Sequence, residues 1–99
     1  MVGTTFFIEV NMKTANGFEG YGCFDLGDDR KFALQLFSTL GGRPPQGDEG
    51  VLQMDLVEKQ RGLPVNVQVI SCSLAELCGN VKIITTELFK RLNLDEMQP

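Results

Sequence analysis

Thr5-Phe6-Phe7-Ile8-Glu9-Val10-Asn11-Met12-Lys13 decides the fold: Phe6, Ile8, Val10 and Met12 fall on one side of an extended chain and Phe7, Glu9, Asn11 and Lys13 on the other. A period of two marks a strand with one face buried. Ala15-Asn16-Gly17 then supplies a turn, and Phe18, Gly20, Gly22, Phe24 and Leu26 resume the inner face on a second strand, completing a β-hairpin. Gly27-Asp28-Asp29 stops that strand. Asp28 is placed to cap a helix whose apolar residues Phe32, Ala33, Leu36, Phe37 and Leu40 recur at helical spacing up to Gly41.

The same order returns further along. Leu52, Met54 and Leu56 alternate with Gln53, Asp55 and Val57, Gln60-Arg61-Gly62 turns the chain, and Val65, Val67 and Val69 alternate with Asn66, Gln68 and Ile70. Ser73 to Glu76 has capping-box form and predicts one short helical turn closed by Gly79, with Asn80 capping a last helix through about Leu92. The β-branched run Val81 to Thr86 leaves a second possibility, a short strand followed by a helix from Thr86.

Laid on each other, Phe6, Ile8 and Val10 match Leu52, Met54 and Leu56 at an offset of 46, while Leu36-Phe37 and Leu40 match Leu88-Phe89 and Leu92 at an offset of 52. The difference places a six-residue insertion at Ser73 to Cys78 of the second half. The expected architecture is one α+β domain, residues 1–99, made of ββα pseudo-repeats at about 4–42 and 50–94. A single four-stranded, mostly antiparallel sheet carries both helices on one face, with strands two and three parallel around a right-handed crossover. Such a sheet puts the two hairpin turns at opposite ends. Residues 41–50, Gly-Gly-Arg-Pro-Pro-Gln-Gly-Asp-Glu-Gly, carry no periodicity and read as an exposed linker.

Composition narrows the chemistry. The chain has no histidine, which removes serine–histidine and cysteine–histidine catalysis and the commonest transition-metal ligand. Cys23, Cys72 and Cys78 are an odd number without C-x-x-C spacing, so they read as reduced thiols rather than a disulfide or zinc framework. A net charge of −4 and a pI near 4.6 oppose phosphate-backbone binding, and the cations are scattered along the chain. The apolar runs are too short for a membrane helix and the first residues lack signal-peptide form, so a cytoplasmic location is expected.

Four places are candidates for a specific site. Asp25, Asp28 and Asp29 gather near a helix start, where they suit capping better than a cation. Gly41-Gly42-Arg43 follows a helix C-terminus, the wrong dipole end for phosphate. Cys78, flanked by Cys72, stands two residues before the expected start of the last helix and is the candidate reactive thiol. The sheet face away from the helices exposes Phe7, Tyr21, Val51, Val57 and Ile70 among polar residues.

That last patch carries the expected function, a small non-enzymatic protein acting by protein–protein contact as a homodimer through Phe7, Tyr21, Val57 and Ile70. The alternatives are a nucleic-acid-binding or regulatory module, and a small-ligand protein or enzyme using Cys78 or the pair Asp28 and Asp29. No cofactor or metal is expected.

Overall fold

The computed structural model describes residues 3–45 and 52–94, so Val51 and the latter part of the expected linker lie outside it. The elements run β1 (Thr4–Thr14), β2 (Gly17–Gly27), α1 (Arg30–Ser38), β3 (Leu52–Gln60), β4 (Leu63–Cys72) and α2 (Leu74–Phe89), which continues as a wider π-type turn over Lys90–Leu94. The chain is an α+β fold of two similar ββα units. Its sheet has the order β2-β1-β3-β4, antiparallel throughout.

The expected parallel neighbours, β2 and β3, are therefore not adjacent. β1 and β3 carry the largest inward side chains, and pairing them places Phe6, Ile8, Val10, Met54 and Leu56 at the centre, against Ala33, Leu36 and Phe37 of α1 and Ile84 of α2. Glycine-rich β2 has little to bury and becomes an edge. The turns do lie at opposite ends of the sheet, since Thr4 pairs with Gln60 and Met12 with Leu52.

Glu9 pairs directly with Asp55, and the offset of 46 also carries position 9 onto 55, so the pseudo-twofold axis relating the units passes between these two residues. The hairpins share an irregularity under the same offset. In β2 the register passes from Gly22 to Gly20 and in β4 from Gln68 to Asn66, leaving Tyr21 and Val67 as equivalent bulge residues. A bulge changes the phase of alternation. Val65 starts on the helix side opposite Glu58, but beyond Val67 it is Ile70, not Val69, that lies on that side, opposite Met54 and packed on the core. Ile70 thus leaves the outer face, and Val69, opposite Asp55, takes its place.

The helices correct the rest of the alignment. Asp29, rather than Asp28, caps α1, its Oδ1 accepting from the Phe32 amide at 3.1 Å, and α1 ends at Ser38, short of Gly41. Ser73 caps α2 in a full capping box, its Oγ accepting from the Glu76 amide at 3.1 Å while the Glu76 carboxylate accepts from the Ser73 amide at 2.8 Å. Both caps follow their hairpins at once, so Ser73 to Cys78 is no insertion but the opening of α2. Residues 81–86 are helical. Leu36-Phe37 and Leu88-Phe89 are consequently not equivalents: Phe37 is a core residue, whereas Phe89, its counterpart at that offset, is 64% exposed.

Asn80 lies inside α2 rather than at its start, and it is 2% exposed. Its amide answers both backbone groups of Gly41, Oδ1 accepting from the amide at 2.7 Å and Nδ2 donating to the carbonyl at 2.8 Å. The next residues dock as well. Arg43 exchanges two backbone hydrogen bonds with Ser71 on β4, at 3.0 and 2.7 Å, and a Cβ on Gly42 would stand 2.9 Å from the Ser71 carbonyl. This part of the expected linker is fastened to the sheet edge. At the opposite end of the helical layer, Arg91 joins Asp29 at 2.9 Å and lies 4.3 Å from the centre of the Phe32 ring.

Two stability measurements check this arrangement. Phe37→Ala should cost about 4 kcal/mol by urea denaturation and Phe89→Ala less than about 1 kcal/mol; equal losses would restore the alignment of the two Leu-Phe pairs. Asn80→Ala should cost about 2–3 kcal/mol, because it leaves the Gly41 amide without its partner and the Gly41 carbonyl with only the Cys72 thiol at 3.6 Å, and a loss below about 0.5 kcal/mol would refute the clamp.

Candidate functional site

The helical layer covers one face of the sheet and leaves the other to be considered on its own. Between the helices themselves runs a groove of about 520 Å³ lined by Phe32, Gln35, Leu36, Thr39, Ile83 and Glu87. Of the sequence candidates, Asp29 is occupied by its cap and by Arg91, which hold its carboxyl below the usual carboxylate range: the Phe32 amide contributes most, then Arg91. Asp25 Oδ1 accepts from the Gly27 amide at 2.9 Å, and Asp28 is exposed. Among the described residues no group of three or more histidine, cysteine or acidic side chains is arranged to hold a metal ion.

Cys78 is the fifth residue of α2 and is exposed. It stands past the unbonded amides of the first turn, so the expected activation by a helix start is not available to it. Cys72 is buried on the helix side, where burial, and after it Glu76, pushes its thiol up.

The outer face, by contrast, does gather candidate residues. Successive rows across β1 and β3 are Asn11–Gln53, Glu9–Asp55, Phe7–Val57 and Thr5–Lys59. The edge strands extend the second row with Cys23 and Val69 and the third with Asp25 and Asn66. Phe7 and Val57 are therefore neighbours on the outer face, which the expected pairing of strands two and three would have kept apart. Tyr21 is set apart in its bulge, 59% exposed, and Ile70 is on the other side of the sheet.

Asp55 is the residue that sequence reading did not single out. It is 7% exposed, its Oδ2 accepts from the Asn66 side-chain amide at 3.2 Å, and its Oδ1 is buried with no hydrogen-bond partner. Carboxylates opposite each other on a sheet repel, and a desolvated carboxylate favours its proton. Burial accordingly raises the Asp55 pKa, and Glu9 adds to the shift, while Asn11 and Asn66 oppose it. Burial also raises the Cys23 thiol, helped by Glu9 and Asp25 and countered by Lys59. A usable signal was present, since the offset that aligned the apolar residues also aligns Glu9 with Asp55.

No protein-family model, curated protein or solved structure matches the chain. Among the described residues, no helix is long and apolar enough to cross a membrane.

The raised pKa of Asp55 has a definite consequence for stability. The folded state holds this proton more tightly than the unfolded chain, so stability falls as pH rises from about 4 through the raised value. Asp55→Asn removes that slope. In dilute solution the variant should melt a few degrees above the parent at pH 7 and lose that advantage near pH 3; a variant less stable at pH 7 would show that the carboxylate is satisfied.

Proposed function

We propose that the protein is a non-enzymatic contact protein of the cytoplasm that docks through its outer sheet face, and that its partner is a second copy of itself. The observation that supports this most is Phe7, an aromatic side chain left only half-buried on the face opposite the helices, beside Val57, which the chain itself already covers. Apolar side chains gathered on an open sheet face favour sheet-on-sheet association. Buried Asp55, with one oxygen unpartnered on the same face, is a stability cost that a contact role accounts for.

The remaining features agree with this reading. Cys23 and Cys78 are exposed free thiols, which suit a reducing compartment. The acidic centre of the face disfavours nucleic acid, and the cations Arg30, Arg43, Lys90 and Arg91 are each engaged with a carboxylate. The matching bulges and the shared offset support descent of the two units from one duplicated ββα segment.

Sedimentation velocity tests the proposal. The parent protein should sediment as a dimer at micromolar concentration, and Phe7→Glu should give a monomer with unchanged far-ultraviolet circular dichroism. Thr5→Glu, an exposed change on the same face, should have the same effect where Phe7→Glu disturbs folding. A parent that stays monomeric through the micromolar range, or a dimer indifferent to both changes, would refute the reading.

A further inference from the structure

The turn from β1 to β2 runs through Ala15 and Asn16, between the paired residues Thr14 and Gly17, and it holds a dipeptide found nowhere else in the chain. Asn16 is followed by Gly17, whereas Asn11, Asn66, Asn80 and Asn93 are followed by Met12, Val67, Val81 and Leu94. Glycine leaves its backbone nitrogen unshielded and its backbone free to rotate. Asn16 is exposed, and a Cβ placed on Gly17 would meet nothing within 4 Å. Water reaches both residues.

We propose that Asn16 is a site of spontaneous self-modification. The Gly17 nitrogen attacks the Asn16 side-chain carbonyl carbon; a C–N bond forms, the bond to Nδ2 breaks, and ammonia leaves. The succinimide that results takes up water, which opens either of its carbonyls. Opening at one gives aspartate, and opening at the other gives isoaspartate, in which the main chain runs through the former side chain. The reaction uses only water, and the inference stands independently of the self-association proposed above.

The other asparagines are set apart by place as well as by neighbour. The Asn66 amide donates to Asp55 at 3.2 Å, Asn80 is 2% exposed and clamped to Gly41, and Asn11 lies in β1 with β2 on one side and β3 on the other. Ring closure requires the Gly17 nitrogen to swing toward the Asn16 side chain, out of its pairing with Thr14. At a strand end beside a turn, such an opening is local and costs little.

Thr14 shows what the modification does to the tip. Its Oγ1 accepts from the Asn16 amide at 3.1 Å and donates to the Gly17 carbonyl at 2.9 Å, so its two bonds straddle the Asn16–Gly17 link. Isoaspartate lengthens that link by a backbone carbon and adds a negative charge, and the two bonds cannot both persist. The second hairpin has no counterpart, since its turn is Arg61-Gly62, without a side-chain amide. Modification therefore distinguishes two units that the fold makes alike. It does so away from the core, because Ala15 to Gly20 are all exposed.

Peptide mapping of the full chain after weeks at neutral pH and body temperature tests this, because cleavage after Lys13 and Arg30 releases Thr14–Arg30, in which Asn16 is the only asparagine or glutamine. The expected result is progressive replacement of NH2 by OH in this peptide, as aspartyl and isoaspartyl forms with the second in excess, while the peptides holding Asn11, Asn66 and Asn80 stay unchanged. Asn16→Gln, whose side chain is a carbon too long for the ring, should abolish the change. The melting temperature of the converted protein should stay within about 2 °C of the parent's. A Thr14–Arg30 peptide that remains intact in the native protein would overturn the proposal, and its conversion in chain unfolded by guanidinium would trace the protection to the fold. Conversion at Asn11, Asn66 or Asn80 that keeps pace with Asn16 would overturn it as well.

Discussion

The antiparallel pairing of β1 with β3, centred on Glu9 and Asp55, is the constraint on which the rest of the structure depends. It brings the two strands with the largest inward side chains together, so that one continuous apolar surface is available for α1 and α2 to cover. Neither hairpin alone has enough apolar face to hold a helix. Because the pairing is symmetric, it fixes the hairpin turns at opposite ends and sends the two helices back over the same side. The interlocks at the ends of the helical layer, Asn80 with Gly41 and Arg91 with Asp29, tie one unit to the other and complete what the strand pairing begins.

The same pairing has an unfavourable consequence on the opposite face. Strand alternation that directs Ile8, Val10, Met54 and Leu56 inward necessarily sets Glu9 against Asp55 outward, where Asp55 is nonetheless withdrawn from water. A buried carboxylate facing another is costly unless it is paired.

Much of this was legible in the sequence, and the exceptions have physical causes. Strict alternation in Thr5 to Lys13 and Leu52 to Val57 identified the central strands and the inward set, because no irregularity interrupts their pairing with each other. The edge strands were harder. A bulge leaves no mark in a run such as Val65 to Ile70, where every second residue is valine, so Ile70 was assigned to the wrong face and Tyr21 to a regular ladder position. The Leu-Phe likeness between the helices outweighed the better guide, which was that Asp29 and Ser73 each begin a helix directly after a hairpin. Gly79-Asn80 resembled a helix boundary, yet the Asn80 amide is engaged with Gly41 across 39 residues of sequence, a contact that local pattern does not reveal.

The candidate contact face was legible in position but not in character. Phe7 and Val57 stood out as apolar residues on an otherwise polar face, whereas Asp55 looked like any solvated carboxylate until the register placed it against Glu9. The account turns on whether that face is what one copy presents to another. Isotope-filtered nuclear Overhauser spectra of a mixture of carbon-13-labelled and unlabelled protein measure this directly. Contacts between copies involving the Phe7 ring and Val57 methyl groups are the predicted result; contacts confined to α1 and α2, or to the outer edges of β2 and β4, would contradict it.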